Sequence, residues 1–251
     1  MKAPTLRRAQ PWLGTMVEIA IVDAGTHSRR AQQAAIDEAF ERVGEVHRAM
    51  SPQLAESDLA RFNRPGTRRI TCHVHTLRVL RLARQLGQES AGAFDVTQGQ
   101  GGAAAWRLEG DQLIKLDAAA KLDLGGIAKG YAVDAAVAAL QETGVRAGCV
   151  NAGGDLRAFG ADYAHAVHLR CPVNPEITRP LVAIAEGALA TSLLPRADDA
   201  APAHVSVAAP SCMLADALTK VVAFADAAVC KNLLNKHSAT AWRHANVSAP
   251  E

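Results

Sequence analysis

Hydrophobic and polar positions alternate early in the chain. Val17–Val22 is a short β-rich run that ends in the turn residues Asp23-Ala24-Gly25. Ile36, Phe40, Val43, Val46 and Met50 then recur at steps of three and four, which predicts an amphipathic helix facing a core, and Ser51-Pro52 stops it. A second helix fits Val74–Leu86, with Leu77, Leu80 and Ala83 on one stripe and arginines on a solvated face. Gly92–Ala105 is rich in glycine and alanine without a clear period and reads as loop; Leu113–Leu116 reads as a short strand.

A helix over Tyr131–Leu140 follows a glycine-rich turn, and Ala147–Val150 has the composition of a buried strand. His165–Leu169 alternates like an edge strand, and Leu181–Ala185 with Ala188–Thr191, separated by Glu186-Gly187, reads as a hairpin. Val205–Ala208 is a further strand, and Pro210-Ser211 opens a helix from about Met213 to Phe224. After Cys230 the pattern turns polar, so residues 232–251 are expected to form an irregular tail with a frayed end. Strands and helices alternate without long linkers, repeats or low-complexity blocks. The expected class is α/β, mixed α and β, in one domain over residues 1–251.

Composition narrows the function classes. With 49% hydrophobic and 21% charged residues in 251, the chain can bury a sizeable core. A net charge of +2 and 4% aromatic residues supply neither the basic face nor the stacking platforms of a nucleic-acid binder. No stretch reaches about 18 uninterrupted apolar residues, so no membrane span is expected. Residues 1–10 are basic and polar without an apolar signal core, which points to the cytoplasm; a precursor already trimmed would read the same way. The five cysteines are scattered with no CxxC pair, which suits reduced, mostly buried thiols.

Candidate chemistry gathers in three short segments. In Asp123-Leu-Gly-Gly-Ile-Ala-Lys-Gly-Tyr-Ala-Val-Asp134 an apolar strand is expected to end at Asp123, and a helix to begin near Lys129. Amides at such a helix start point at an anion, and Lys129 adds a movable positive charge. A tight strand-to-helix turn with a surface lysine explains the same residues. Gly130 is followed by tyrosine, which excludes a P-loop, and the spacing is not that of the dinucleotide fingerprint. Asn151-Ala-Gly-Gly-Asp155 is a second loop of this kind, with Asn151 and Asp155 as polar hooks. Asp216, Thr219 and Lys220 share one face of a helix near its start. A carboxylate and a hydroxyl there suit Mg²⁺, although Asp216 alone also complements a helix dipole. No G-x-S-x-G surrounds Ser211 and no H-E-x-x-H occurs, so hydrolase and zinc-protease readings have little to stand on.

Seven segments in chain order carry a resemblance to the FAD:protein FMN transferase (ApbE-like) family. They are Leu13-Gly14-Thr15, Met50-Ser51 with Ser57–Asn63, Ala91–Thr97, Asp123–Asp134, Asn151–Asp155, Ala188–Ser192 and Ala209–Asp216. The resemblance implies the ApbE-type fold, a compact unit with a flavin cleft between subdomains. It also implies transfer of FMN from FAD, with Mg²⁺, to a threonine of an acceptor flavoprotein, releasing AMP. By position it assigns Leu13, Gln53, Ala93, Phe94, Asp95, Asp123 and Lys129 to the flavin nucleotide, and Gly126, Asp216 and Thr219 to the metal. It assigns no catalytic residue.

The chain departs from the family pattern at five places, one of them the region between Thr97 and Leu116, which is much shorter than in typical members. Leu13 replaces a methionine, and Gln53 replaces a tyrosine. Lys220 stands where a metal-binding threonine is expected, with Thr219 one residue early. Between Ser192 and His204 there is no counterpart of the histidine-bearing HxxDPxTG segment. An active transferase, a flavin- or nucleotide-binding homologue without catalysis acting as a binding or assembly factor, and a structural domain that has lost the ligand therefore all remain readings.

Overall fold

Strand β1 (Leu6–Trp12) turns back into β2 (Thr15–Val22) through Leu13-Gly14, whose φ angles of 58° and 73° are both positive, as a type I′ hairpin demands. This computed structural model describes residues 6–22, 28–160, 164–170, 178–194 and 203–244. On β2, Val17, Ile19 and Ile21 are fully buried on one face, in the period of two of a half-covered strand. That face receives helix α1 (Arg29–Met50), started by the Ser28 hydroxyl accepting the Ala31 amide and ended at Ser51. The stripe predicted from Ile36 to Met50 is the buried stripe of α1.

Further along come α2 (Asp58–Asn63), β3 (Arg69–Thr71), α3 (Val74–Glu89), β4 (Trp106–Glu109) and β5 (Gln112–Lys115). Strands β3, β5 and β4 form a small antiparallel sheet in that order. Helix α4 (Ala128–Glu142) leads into β6 (Ala147–Ala152) and β7 (Asp155–Phe159), then β8 (His165–Arg170), β9 (Thr178–Ile184), β10 (Gly187–Leu194) and β11 (Ala203–Ala209). Helices α5 (Cys212–Phe224) and α6 (Ala227–Lys236) and strand β12 (Thr240–His244) complete the described chain. The main sheet is antiparallel, in the order β1-β2-β6-β7-β10-β11-β12. Helices α1, α4 and α5 share one core cluster with it, while Cys149, Leu156, Ala158 and Leu189 on its other face pack with Val167 of β8 and Ile184 of β9. Among the described residues no helix is long and apolar enough to cross a membrane.

Three sequence expectations are corrected. Leu181–Ala185 and Ala188–Thr191 are consecutive strands but not a hairpin. β9 pairs with β8, while β10 pairs with β7 and β11, because Ala188 and Ala190 belong to the helix-facing core and Ile184 to the outer cluster. The segment before Asp123 forms no strand among the described residues. The Asn63 amide stands in for a strand partner, donating to the Leu122 carbonyl and accepting its N–H, both at 2.8 Å. The expected tail is ordered through His244: α6 buries Cys230 and Leu233, and β12 adds the last strand against β11. Only 245–251 of that stretch lies outside the described residues. Four cysteines, at 72, 149, 212 and 230, are buried and free, whereas Cys171 lies outside the described residues.

One core contact has a pH consequence. His75 of α3 is buried, with Nδ1 2.7 Å from the Tyr131 hydroxyl and Nε2 3.3 Å from the Glu45 carboxylate. Burial holds its pKa below the ordinary value, against the pull of Glu45. In the unfolded chain the ring takes up a proton near pH 6.5, while the folded chain resists it. The unfolded state then binds more protons, and stability falls as pH falls through that window. The slope from this residue is at most ~1.4 kcal/mol per pH unit. Urea midpoints measured between about pH 7.5 and about pH 5.5 should decline, and His75→Gln should flatten the decline. An unchanged slope in the variant would assign the acid sensitivity elsewhere.

Candidate active site

The I′ turn sets Leu13 at one end of a cavity of about 460 Å³, also lined by His47, Met50, Gln53, Leu54, Asp123, Gly125 and Lys129. A second cavity, of about 420 Å³, is lined by Ala93, Phe94, Asp95, Gln98, Asp123, Gly125, Gly126, Lys220 and Phe224. Asp123 and Gly125 belong to both, so the glycine turn is the wall between two hollows of small-molecule size.

All seven residues assigned to the nucleotide line one cavity or the other, but they differ in what is free to act. Asp95 is spent on its own loop, accepting the Thr97 amide and hydroxyl and the Gly99 amide, each at 2.8 Å. Phe94 is buried, its amide held by the Ser90 hydroxyl. Gln53 accepts from the Ser51 hydroxyl at 2.8 Å. Asp123 accepts the Gly125 amide at 2.7 Å and the Gln98 side chain, which fixes the glycine turn from both sides.

The charge of the site comes from four residues on three segments. Lys129, in the first turn of α4, pairs with Asp155 at the start of β7 and stands 3.7 Å from Asp216 of α5. Lys220, one turn on from Asp216, lies 2.6 Å from its Oδ1. Asp216 is fully buried; its Oδ2 also accepts the Gly130 amide at 3.3 Å. Two ammoniums thus face two carboxylates. Burial, then the charge of Asp216, pushes Asp155 up to about 6 despite Lys129 beside it. For Lys129 burial acts downward, but the Asp216 and Asp155 carboxylates outweigh it and hold the pKa above the ordinary value.

The residues present do not fit the Mg²⁺ that the resemblance implies. The Thr219 hydroxyl is fully buried, donating to the Asp216 carbonyl at 2.7 Å and 2.8 Å from the Ser192 hydroxyl. The Lys220 ammonium takes the cation position beside Asp216. A Mg²⁺ ion about 2.1 Å from Oδ1 would sit within about 5 Å of that ammonium, a like-charge repulsion of roughly 7 kcal/mol at an effective dielectric of about 20. Asp216 and Ser192 therefore hold an ammonium beside Gly126, because Lys220 reaches back over the glycine turn while the Thr219 hydroxyl is bonded elsewhere.

Two contributors had little signal in the sequence. Ser192 joins the site only because β10 runs beside α5. Phe224, 59% exposed at the rim of the second cavity, was legible only as an aromatic four residues after Lys220, on the same helix face.

The carboxylate–ammonium cluster thus lies beside two cavities, at glycine-rich turns of a mixed α and β fold built on an antiparallel sheet. The sequence profile of the ApbE family matches residues 13–112 and 101–193, and the chain belongs to that family. Among solved structures, the flavin transferase ApbE from Vibrio cholerae matches with a TM-score of 0.78 and 22% identity over 96% of this chain and 97% of that one. The apo form of the flavinyl transferase ApbE from Pseudomonas stutzeri gives 0.77 and 22% over 95% and 90%. The ApbE protein from Thermotoga maritima gives 0.78 and 20% over 96% and 97%. These likenesses show the fold. A comparison with curated protein sequences finds no match.

Proposed function

We propose that this chain binds FAD across the two cavities and passes its FMN half to a threonine hydroxyl of an acceptor flavoprotein, releasing AMP. The observation that carries the reading is the turn shared by both cavities at Asp123 and Gly125: Lys129 lines one hollow and Lys220 the other, and the two ammoniums lie 3.7 and 2.6 Å from the buried Asp216 carboxylate behind it. In the reaction the threonine oxygen forms a bond to the FMN phosphorus, and the bond from that phosphorus to the bridging oxygen breaks. AMP leaves with that oxygen, and the hydroxyl proton is lost to the leaving phosphate or to water. The chain's part is positioning and charge: two ammoniums beside the diphosphate, and cavities that hold the two ends of the dinucleotide.

The test is incubation of the purified chain with FAD and a threonine-bearing acceptor, followed by assay of AMP and of covalent flavin on the acceptor. Both products are expected. FAD retained without AMP would favour binding without transfer. That second reading draws on one specific feature: residues 195–202, which join β10 to β11, contain no histidine.

Phe224 offers a separate check. As an exposed ring on the wall of the second cavity it is suited to stack on an aromatic ring of the ligand. Phe224→Ala should weaken FAD binding about tenfold, as expected for one lost stacking contact, with the far-ultraviolet spectrum unchanged. Equal affinity of variant and parent would remove Phe224 from the site.

A further inference from the structure

We infer that Lys220 supplies in this chain the positive charge that a divalent ion would otherwise bring, so that the diphosphate of the flavin dinucleotide is held without Mg²⁺. The inference rests on the flavin-nucleotide reading of the cleft and goes beyond it by naming how the anion is balanced.

The first support is geometric. The Lys220 ammonium has three protons and three protein acceptors: Asp216 Oδ1 at 2.6 Å, the Ser192 hydroxyl at 3.0 Å and the Asp216 carbonyl at 3.1 Å. Held this way it behaves as a fixed charge rather than a roving side chain. The second support is the glycine turn itself. A Cβ on Gly126 would lie 3.0 Å from Cε and 3.6 Å from Cδ of Lys220, so the bare backbone at 126 is the bed on which the lysine stem lies. The third is access. Asp216 is fully buried, yet Lys220 keeps 21% of its side chain exposed and lines the cavity with Gly126 and Phe224. Its charge is presented to the hollow while its counter-ion is hidden.

Charge counting then separates this arrangement from a metal site. With Lys129 and Lys220 against Asp155 and Asp216 the cluster is neutral and can receive an anionic diphosphate. Removing Lys220 leaves an excess negative charge that repels the ligand and opens the Asp216 carboxylate to an added cation. The native chain should therefore ignore Mg²⁺, and a Lys220→Thr chain should need it.

The experiment is FAD binding to the full chain, followed by quenching of flavin fluorescence, in EDTA and in millimolar Mg²⁺. For the parent the two dissociation constants should agree within about twofold, and Lys220→Thr should bind about tenfold more weakly in EDTA and recover with Mg²⁺. Lys220→Met, which has neither charge nor hydroxyl, should be weak in both media. A parent chain that binds FAD only when Mg²⁺ is present overturns the inference and leaves the flavin-site reading standing. A parent that binds FAD in neither medium overturns both. The parent's own comparison decides the matter even where a variant fails to fold.

Discussion

Gly130→Ala is expected to melt about 5–10 °C below the parent and to lose most of its FAD affinity. The position is the third residue of α4, where the first turn of α5 crosses it. A Cβ there would stand 2.3 Å from the Cys212 carbonyl oxygen, 2.6 Å from its carbon and 2.9 Å from Cβ of Asp216. None of these atoms is the end of a flexible side chain, so the two helices must part. Overpacking of this kind costs about 1–3 kcal/mol or more, and each kcal/mol lowers the melting temperature of a chain this size by about 2–4 °C. The separation would also carry Asp216 away from the Gly130 amide and from Lys129, which links the stability loss to the site. Gly126→Ala is the instructive contrast: its new methyl group meets only the Lys220 stem, which can bend. It should cost less stability while still disturbing the ammonium. Thermal melts and FAD titrations on both variants check this, and a Gly130→Ala chain that melts with the parent would mean the helices are less closely packed than described.

The contrast between those glycines shows what a sequence displays and what it hides. Amphipathic helices were plain in it, because a stripe such as Ile36, Phe40, Val43 and Val46 needs nothing beyond its own period. Charged and polar strands were not. β1 carries Arg7, Arg8 and Gln10 and buries only Leu6, since it is the outermost strand of the sheet and its stabilisation comes from pairing with β2. The misread hairpin at Glu186-Gly187 has the same origin, as adjacency along the chain says nothing about which sheet each strand joins. Within the site, the glycine turns and Asp216 were legible as motifs, and the cavities adjoin the first turn, from Asp123 to Lys129, while Asp155 and Asp216 lie buried behind it. What the order of residues could not display was which cation faces Asp216. That depends on helical phase: Thr219 turns inward to Ser192, and Lys220 turns toward Gly126.

Asp134 had no role in the sequence beyond closing the glycine-rich segment, yet its loss should be among the costliest changes in the chain. One turn after Gly130 on α4, its carboxylate accepts the amides of Cys212 and Met213 at 2.9 and 2.8 Å and the Arg157 guanidinium at 2.9 Å. Those amides are the unsatisfied donors at the start of α5; the local cap, Ser211, reaches only the Leu214 amide and at 3.4 Å. A side chain from another helix thus does most of the capping of the helix that bears Asp216 and Lys220. Each hydrogen bond to a charged group is worth about 1.5–3 kcal/mol, and Asp134→Ala removes the acceptor of two amides and of a partly exposed arginine together. Asp134→Asn, which keeps one accepting oxygen, should fall between variant and parent. Arg157→Ala, which leaves both amides bonded, should cost least. Urea denaturation orders the three. FAD titration at a temperature where all remain folded then asks whether the first turn of α5 has moved: weaker binding by Asp134→Ala under those conditions is expected, and binding equal to the parent would confine Asp134 to stability alone.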